Sequence, residues 1–246
     1  MPGFEGGVAS IAPRAGSLAP ASAERSGGSG TYRSALPRSM SSRPPQTLSA
    51  RFWGADLSQN LPRVLSRDGV QAVRGDLARV GEFLKQAFPS FSEEELGAQL
   101  SPRMIEAKVH YLRTASDLIE VQHLGRTVGV LVGAPEDWSS FYVRILAFLP
   151  EYQRPGLTRR FVRECLFEPL AACGVERIVA DTWPTNIAMT RGFTELHFHV
   201  TGHQLSERWG ALVRYTKFLD PAREAAFEKR FAGALPTQKD AKRRRT

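Results

Sequence analysis

Apolar residues along the chain fall into two rhythms, one near 3.6 residues and one near 2. From Asp76, an N-cap residue, the text reads DLARVGEFLKQAFP, with Leu77, Val80, Phe83, Leu84 and Phe88 on one helical stripe and Pro89 as its stop. Ser92 and Glu95 form a capping box that opens a second helix over SEEELGAQL. Met104–Leu112 reads equally as a further helix or an irregular link. The period then shortens. Leu118–His123 and Thr127–Val132 flank Gly125 as a hairpin, and Phe141–Leu149 is a longer strand. A helix follows from Leu157, with Leu157, Phe161 and Cys165 on one row and Val162, Leu166 and Leu170 on the next. Pro169 is expected to kink it or end its regular part, and Gly174 to follow as its stop. Val175–Thr182 is a strand and Thr185–Arg191 a short helix or turn. Phe193–Thr201 alternates, with His197 and His199 on one side of the expected strand. Ala211–Leu219 is the last strand, and Pro221 opens a terminal helix. Upstream, Val70–Arg74 is a candidate first strand, and Leu57, Leu61, Val64 and Leu65 have loosely helical spacing.

This order predicts an α/β (α+β) sandwich: a mixed, mostly antiparallel central sheet flanked by helices. Residues 1–50, crowded with Ser, Gly, Ala, Pro and Arg, cannot bury enough surface to offset chain entropy and are expected to be disordered. The same expectation holds for residues 235–246. The folded domain is then residues 51–234, with its core in 70–220.

Charge sharpens that division. Of the net charge of +8, residues 1–50 hold +3 and residues 235–246 hold +4, leaving +1 for the middle. A nucleic-acid-binding fold carries its basic patch on the folded surface, so no specific nucleic-acid partner is expected. No 18-residue apolar run exists, so no membrane span is expected, nor does the N-terminus read as a secretory signal. Cys165 and Cys173 lie about two turns apart on one expected helix, too far for a disulfide. Two free thiols suit a reducing compartment, and the expected location is the cytoplasm.

The chemistry concentrates where the long strand meets its helix. Pro150 ends the strand; Gln153, Arg154, Pro155 and Gly156 make a turn; the helix starts near Leu157. The first N–H groups of a helix have no internal partner, and the helix dipole adds positive charge there, so such a turn makes an anion site. Glycine lets the backbone approach an anion without a Cβ.

From Phe141 onward the text resembles the GNAT superfamily of acyl-CoA-dependent N-acyltransferases. The resemblance spans about residues 70–220. Phe148-Leu149-Pro150 stands for the family's strand end, Gln153-Arg154-Pro155-Gly156-Leu157-Thr158 for its pyrophosphate turn, and Asn186 with Gly192-Phe193 for its short helix. It implies transfer of an acetyl group from the co-substrate acetyl-CoA to an amine-bearing acceptor, a small molecule or a protein, by direct attack. It implies pyrophosphate contacts from Gly156, Leu157, Thr158 and Arg159, with Arg154 and Arg160 adding charge. It also implies pairing of the pantetheine arm with the open strand edge, and polarisation of the thioester by the N–H near Phe148. Phe148, Leu149, Gln153, Arg154, Gly156, Leu157, Thr158, Arg159 and Asn186 are therefore the candidate donor-binding residues.

The family's usual Tyr on the short helix is absent from NIAMTRGF. Candidate proton-handling residues are Tyr142, Asp181 and His197, with Arg144 as a possible carboxylate binder. His197, His199 and His203 lack the accompanying carboxylate spacing of a metal centre, and no metal is expected. Trp183 and Phe193 could line an acceptor pocket. Two alternatives stand beside the acetyltransferase: a degenerate CoA-binding or interaction module, and a long-chain N-acyltransferase fed by an acyl carrier protein. A monomer or homodimer is expected.

Overall fold

The structure is a computed structural model of the 246-residue chain, and it describes residues 9–10, 48–54, 57–88, 101–153, 155–206 and 209–232. The expected helix over Ser92–Leu100, the tail 235–246 and most of the segment 1–50 lie outside the described residues. Within 1–50, strand β1 (Ala9–Ser10) and the start of helix α1 (Leu48–Trp53) are described.

The chain continues as β2 (Arg63–Val64), β3 (Gln71–Arg74), α2 (Leu77–Ala87), α3 (Pro102–Ala115), β4 (Asp117–His123), β5 (Arg126–Pro135) and β6 (Ser140–Phe148). A 3-10 turn at Pro150–Tyr152 leads to α4 (Pro155–Val162), a π-helical stretch at Arg163–Phe167 and α5 (Glu168–Ala172). Then come β7 (Arg177–Thr182), α6 (Ile187–Glu195), β8 (His199–Ser206), β9 (Gly210–Phe218) and α7 (Pro221–Ala232). The strands form one mixed sheet in the order β2-β3-β4-β5-β6-β7-β9-β8. Every pair is antiparallel except β6 with β7. The expected mixed, mostly antiparallel sheet with flanking helices is what the structure has.

Local chemistry accounts for the elements. The Asp76 carboxylate accepts from the N–H groups of Ala78 and Arg79, capping α2, which buries Val80 and Phe83. Leu124 and Gly125 both have positive φ, the conformation a two-residue hairpin turn requires, and they set His123 opposite Arg126. Ahead of Pro169 the regular part of the long helix ends. The proline has no N–H and its ring crowds the preceding turn, and the π-helical stretch just before it widens that turn, with the Glu168 N–H reaching back to the Arg163 carbonyl. Phe161, Val162, Cys165, Leu166 and Leu170 are buried, so both expected rows face the core.

One segment differs from expectation. Phe193 lies in α6, which runs to Glu195, and the strand starts only at His199. Asn186 caps the helix through Met189 N–H, and Phe193 is worth more packed against Phe198 and Tyr215 than in an edge strand. His197 sits in the intervening turn at φ 59°, so it does not share a strand face with His199.

Candidate active site

The parallel pairing of β6 with β7 is short. It runs from Ser140↔Arg177 to Val143↔Ala180 and then stops, although β6 continues to Phe148 and β7 to Thr182. The two strands therefore part, and the edge of β6 that faces away from β5 opens into a gap. Alternation fixes which groups point there. The Leu149 N–H bonds the Val128 carbonyl on β5 at 2.9 Å, so the N–H groups of Ala147 and Ile145 also face β5. The N–H groups of Leu146 and Phe148 face the gap.

An open cleft occupies this gap. Leu146, Ala147 and Phe148 form one wall, and Met189, Arg191, Gly192 and Phe193 of α6, with Leu196 just after it, form the other. Gln153, Thr158 and Arg159 close the end at the start of α4. The Gln153 side-chain amide donates to the Phe148 carbonyl at 3.0 Å, tying the turn to the strand end. The Phe148 ring lies against Gly129 of β5, where a Cβ would come within 2.6 Å of it, and meets Phe161 of α4 edge-on. These contacts fix the strand end against the first turn of α4.

Gly156 sits in that first turn. Its φ is not in the left-handed region, and a Cβ there would meet nothing within 4 Å. Neither backbone conformation nor packing requires glycine, so the space it leaves is open to a ligand approaching the helix N-terminus. Leu157 is half-buried against the core.

The expected arginines divide. Arg159 reaches across the cleft mouth to Glu195 of α6 at 3.2 Å. Arg160 turns away to Glu164 at 2.7 Å and to the Leu65 carbonyl at 3.0 Å. Arg154 lies outside the described residues. Asn186 acts as the α6 cap and does not line the cleft, and Leu149 is buried in the core. Arg191, which the sequence reading passed over, does line it.

Where β6 and β7 part, the structure brings two proton-handling candidates together. Tyr142 and Asp181 are 7% and 0% exposed, and the Tyr142 hydroxyl donates to Asp181 Oδ2 at 3.1 Å. Arg214 of β9 sits directly opposite Asp181 and donates from Nε to Oδ1 and from Nη2 to Oδ2, both at 3.0 Å. Gln204 of β8 donates to Oδ2 at 3.2 Å, and Arg214 also pairs with Glu136 at 3.2 Å. Burial, then the neighbouring Asp181 charge, pushes the Tyr142 hydroxyl well above its ordinary range. The hydrogen bond to Asp181 holds Arg214 firmly protonated, against the cost of burial. At neutral pH the Tyr142 phenol is neutral and the Arg214 guanidinium is protonated. Neither Tyr142 nor Asp181 is among the residues that line the cleft.

The third candidate, His197, is not brought to this group; it is exposed on the turn after α6. Arg144 turns to Tyr111 of α3, donating to its hydroxyl at 3.0 Å and lying 5.0 Å from its ring centre. Trp183 donates to the Trp209 carbonyl at 2.7 Å, while Phe193 lines the cleft. Among the described residues no group of three or more metal-ligating side chains converges, and no helix is long and apolar enough to cross a membrane.

No protein-family model matches the chain, and no curated protein does. Among solved structures the chain is similar to an acetyl transferase from Salmonella typhimurium that modifies the N-terminal serine of ribosomal protein L7/L12. That match has 15% identity and a TM-score of 0.48, over 63% of this chain and 98% of that one. A putative acetyltransferase from the same organism, solved with acetyl-CoA, matches at 17% identity over 61% and 94% with a TM-score of 0.47. A GNAT-family acetyltransferase from Streptococcus pneumoniae matches at 15% identity over 61% and 99%, also with a TM-score of 0.47. Likeness at this level, with each quoted TM-score below 0.5, does not define an activity for this chain.

Proposed function

We propose that the chain is an acyl-CoA-dependent N-acyltransferase that moves an acetyl group from acetyl-CoA to an amine. The observation that carries this is the parting of β6 from β7, which turns the Leu146 and Phe148 N–H groups toward a cleft that ends at the α4 N-terminus, with β1 lying on this edge at Leu146. Pantetheine carries two amides spaced along an extended arm, which suits an open strand edge, and its pyrophosphate suits a helix N-terminus with a vacant Cβ position. Gly156, Leu157, Thr158 and Arg159 would hold the phosphates, with Arg154 and Arg191 adding charge.

In the reaction we propose, the acceptor nitrogen bonds the thioester carbonyl carbon and the carbon–sulfur bond breaks. The Leu146 N–H, further along the edge than the Phe148 N–H that meets an amide of the arm, holds the developing oxyanion, a donor fixed before the reaction begins. Tyr142 accepts the proton leaving the nitrogen and passes its own to Asp181, which Arg214 keeps oriented. The departing thiolate takes up a proton to give free CoA. The acceptor is an amine on a small molecule or a protein, and the proposed setting is the cytoplasm, where Cys165 and Cys173 stay as free thiols.

Calorimetry with acetyl-CoA and longer acyl-CoAs tests the reading. Binding of acetyl-CoA that Gly156→Glu abolishes is the expected result, since the new carboxylate meets the phosphates and not the protein. No binding to the wild type sinks the proposal. Binding without thiol release across a panel of amines would leave a CoA-binding module instead of an enzyme. Preference for long acyl groups would move the donor away from acetyl-CoA.

A further inference from the structure

The open edge of β6 already has an occupant from its own chain. Strand β1, Ala9–Ser10, pairs antiparallel with it, with Ala9 opposite Leu146 and Ser10 opposite Ile145. The rest of the sheet is built from residues 63–218, so this strand comes from far outside the domain. The Leu146 N–H and carbonyl face the gap, which makes Ala9↔Leu146 the pair that exchanges backbone hydrogen bonds. Leu146 also lines the cleft. One strand edge can bond only one partner at a time.

We propose that the N-terminal segment is an internal competitor for the donor's strand edge: Ala9–Ser10 and the acyl-pantetheine arm exclude each other on Leu146. This rests on the acyl-CoA reading of the cleft. The two occupants are chemically alike, because an extended peptide and pantetheine both present amides to an edge. The competition is local. β1 covers Ile145 and Leu146, toward the acyl end of the arm, and leaves the Phe148 N–H and the first turn of α4 uncovered. The nucleotide end of CoA therefore docks whether or not β1 is seated, and insertion of the pantetheine arm requires β1 to leave. A tethered segment acts at an effective concentration on the order of millimolar, so even a two-residue pairing weakens donor binding several-fold.

The test uses the full chain carrying Ala9→Pro and Ser10→Pro. Proline has no N–H for the ladder, and a thermal unfolding midpoint equal to the wild type's checks that the fold is kept. Acetyl-CoA should bind this variant about three- to tenfold more tightly than the wild type. Adenosine 3′,5′-bisphosphate, which lacks pantetheine, should bind both equally. A peptide of residues 4–16 added in trans should weaken acetyl-CoA binding to the proline variant competitively. Equal acetyl-CoA affinity in the two chains overturns the inference and leaves the acyl-CoA reading standing. An equal gain for the bisphosphate also overturns it, since the effect would then not be at the strand edge. Absence of acetyl-CoA binding in both chains removes the acyl-CoA reading and this inference with it.

Discussion

Among the described residues, Glu120 and Asp181 are both 0% exposed and each faces an arginine, yet their surroundings differ. Glu120, in the middle of β4, accepts from the Asp76 N–H at 2.5 Å, Thr127 Oγ1 at 2.8 Å, Arg79 Nε at 3.0 Å and Gln122 at 3.1 Å. Those donors come from the start of α2 and from β4 and β5, so Glu120 pins the capped helix to the sheet. Asp181 accepts from Arg214, Gln204 and Tyr142, on β9, β8 and β6. These strands meet where the sheet parts. Glu120's donors satisfy the carboxylate and lead nowhere further. Tyr142 lies near the point where β6 and β7 stop pairing, beside the cleft and not among the residues that line it. A buried, paired carboxylate is thus a brace in one place and, in the proposed reaction, a proton acceptor in the other, and the difference lies in its neighbours.

The largest expected effect follows from that contrast. Tyr142→Phe should lower kcat for acetyl transfer by about 10²- to 10³-fold, the range for losing a positioned proton acceptor. The Kd for acetyl-CoA should stay within about twofold, since binding draws on the strand edge and α4. Thermal unfolding should shift little, because Arg214 and Gln204 still hold Asp181. A fall in kcat of less than about fivefold would reduce the Tyr142–Asp181 pair to a brace like Glu120.

Glu120→Gln is the counterpart. Its amide cannot accept from all the donors that the carboxylate satisfies, and denaturant unfolding should show a loss of about 2 kcal/mol. Activity per folded molecule should not change. The pH dependence sharpens this. Burial works to raise the Glu120 pKa, but the bonds from Arg79, Asp76, Gln122 and Thr127 outweigh it, and the net direction is downward. A depressed carboxylate contributes stability above its unfolded value, near 4.3, and loses it as pH falls through the folded value. The wild-type advantage over Glu120→Gln should therefore be full at pH 6–7 and shrink below about pH 4. A gap that stays constant down to pH 3 would mean that the carboxylate charge contributes nothing.

The contrast also separates what the sequence could and could not say. The turn from β6 into α4 was legible because its signals are local: a strand, a proline, a glycine and an amphipathic helix lie within thirty-four residues, Phe141 to Gly174. Asn186 was marked by its place before a short helix, though the structure uses it as a cap. The partner of Asp181 was not legible. Arg214 meets it only because β9 inserts between β7 and β8, and neighbours out of sequence order leave no local trace. The alternation over Phe193–Thr201 pointed to a strand, but the ring packing of Phe193 on Tyr215 prevailed over a period-2 pattern. Arg160 reads as a phosphate ligand in the text and is taken by Glu164 one turn later, a choice that side-chain geometry alone makes. The pairing of Ala9 with Leu146 spans most of the domain, and no spacing rule reaches that far.

The smallest expected effects trim one donor from each carboxylate. Thr127→Val removes the hydroxyl bonded to Glu120 Oε2 and keeps the β-branched shape. Loss of one hydrogen bond to a buried charge should cost about 1–2 kcal/mol of stability, with kcat unchanged. Gln204→Leu removes the amide bonded to Asp181 Oδ2 at a half-buried site on the edge strand β8. Water can replace that donor, so stability should fall by less than about 0.5 kcal/mol. Asp181 loses one of the donors that orient it toward Tyr142, so kcat should fall by about two- to fivefold. Thr127→Val should leave kcat where it is. If both variants lower kcat equally, or neither does, the orientation of Asp181 does not matter to turnover, and the distinction between the two carboxylates would have to rest on Tyr142 alone.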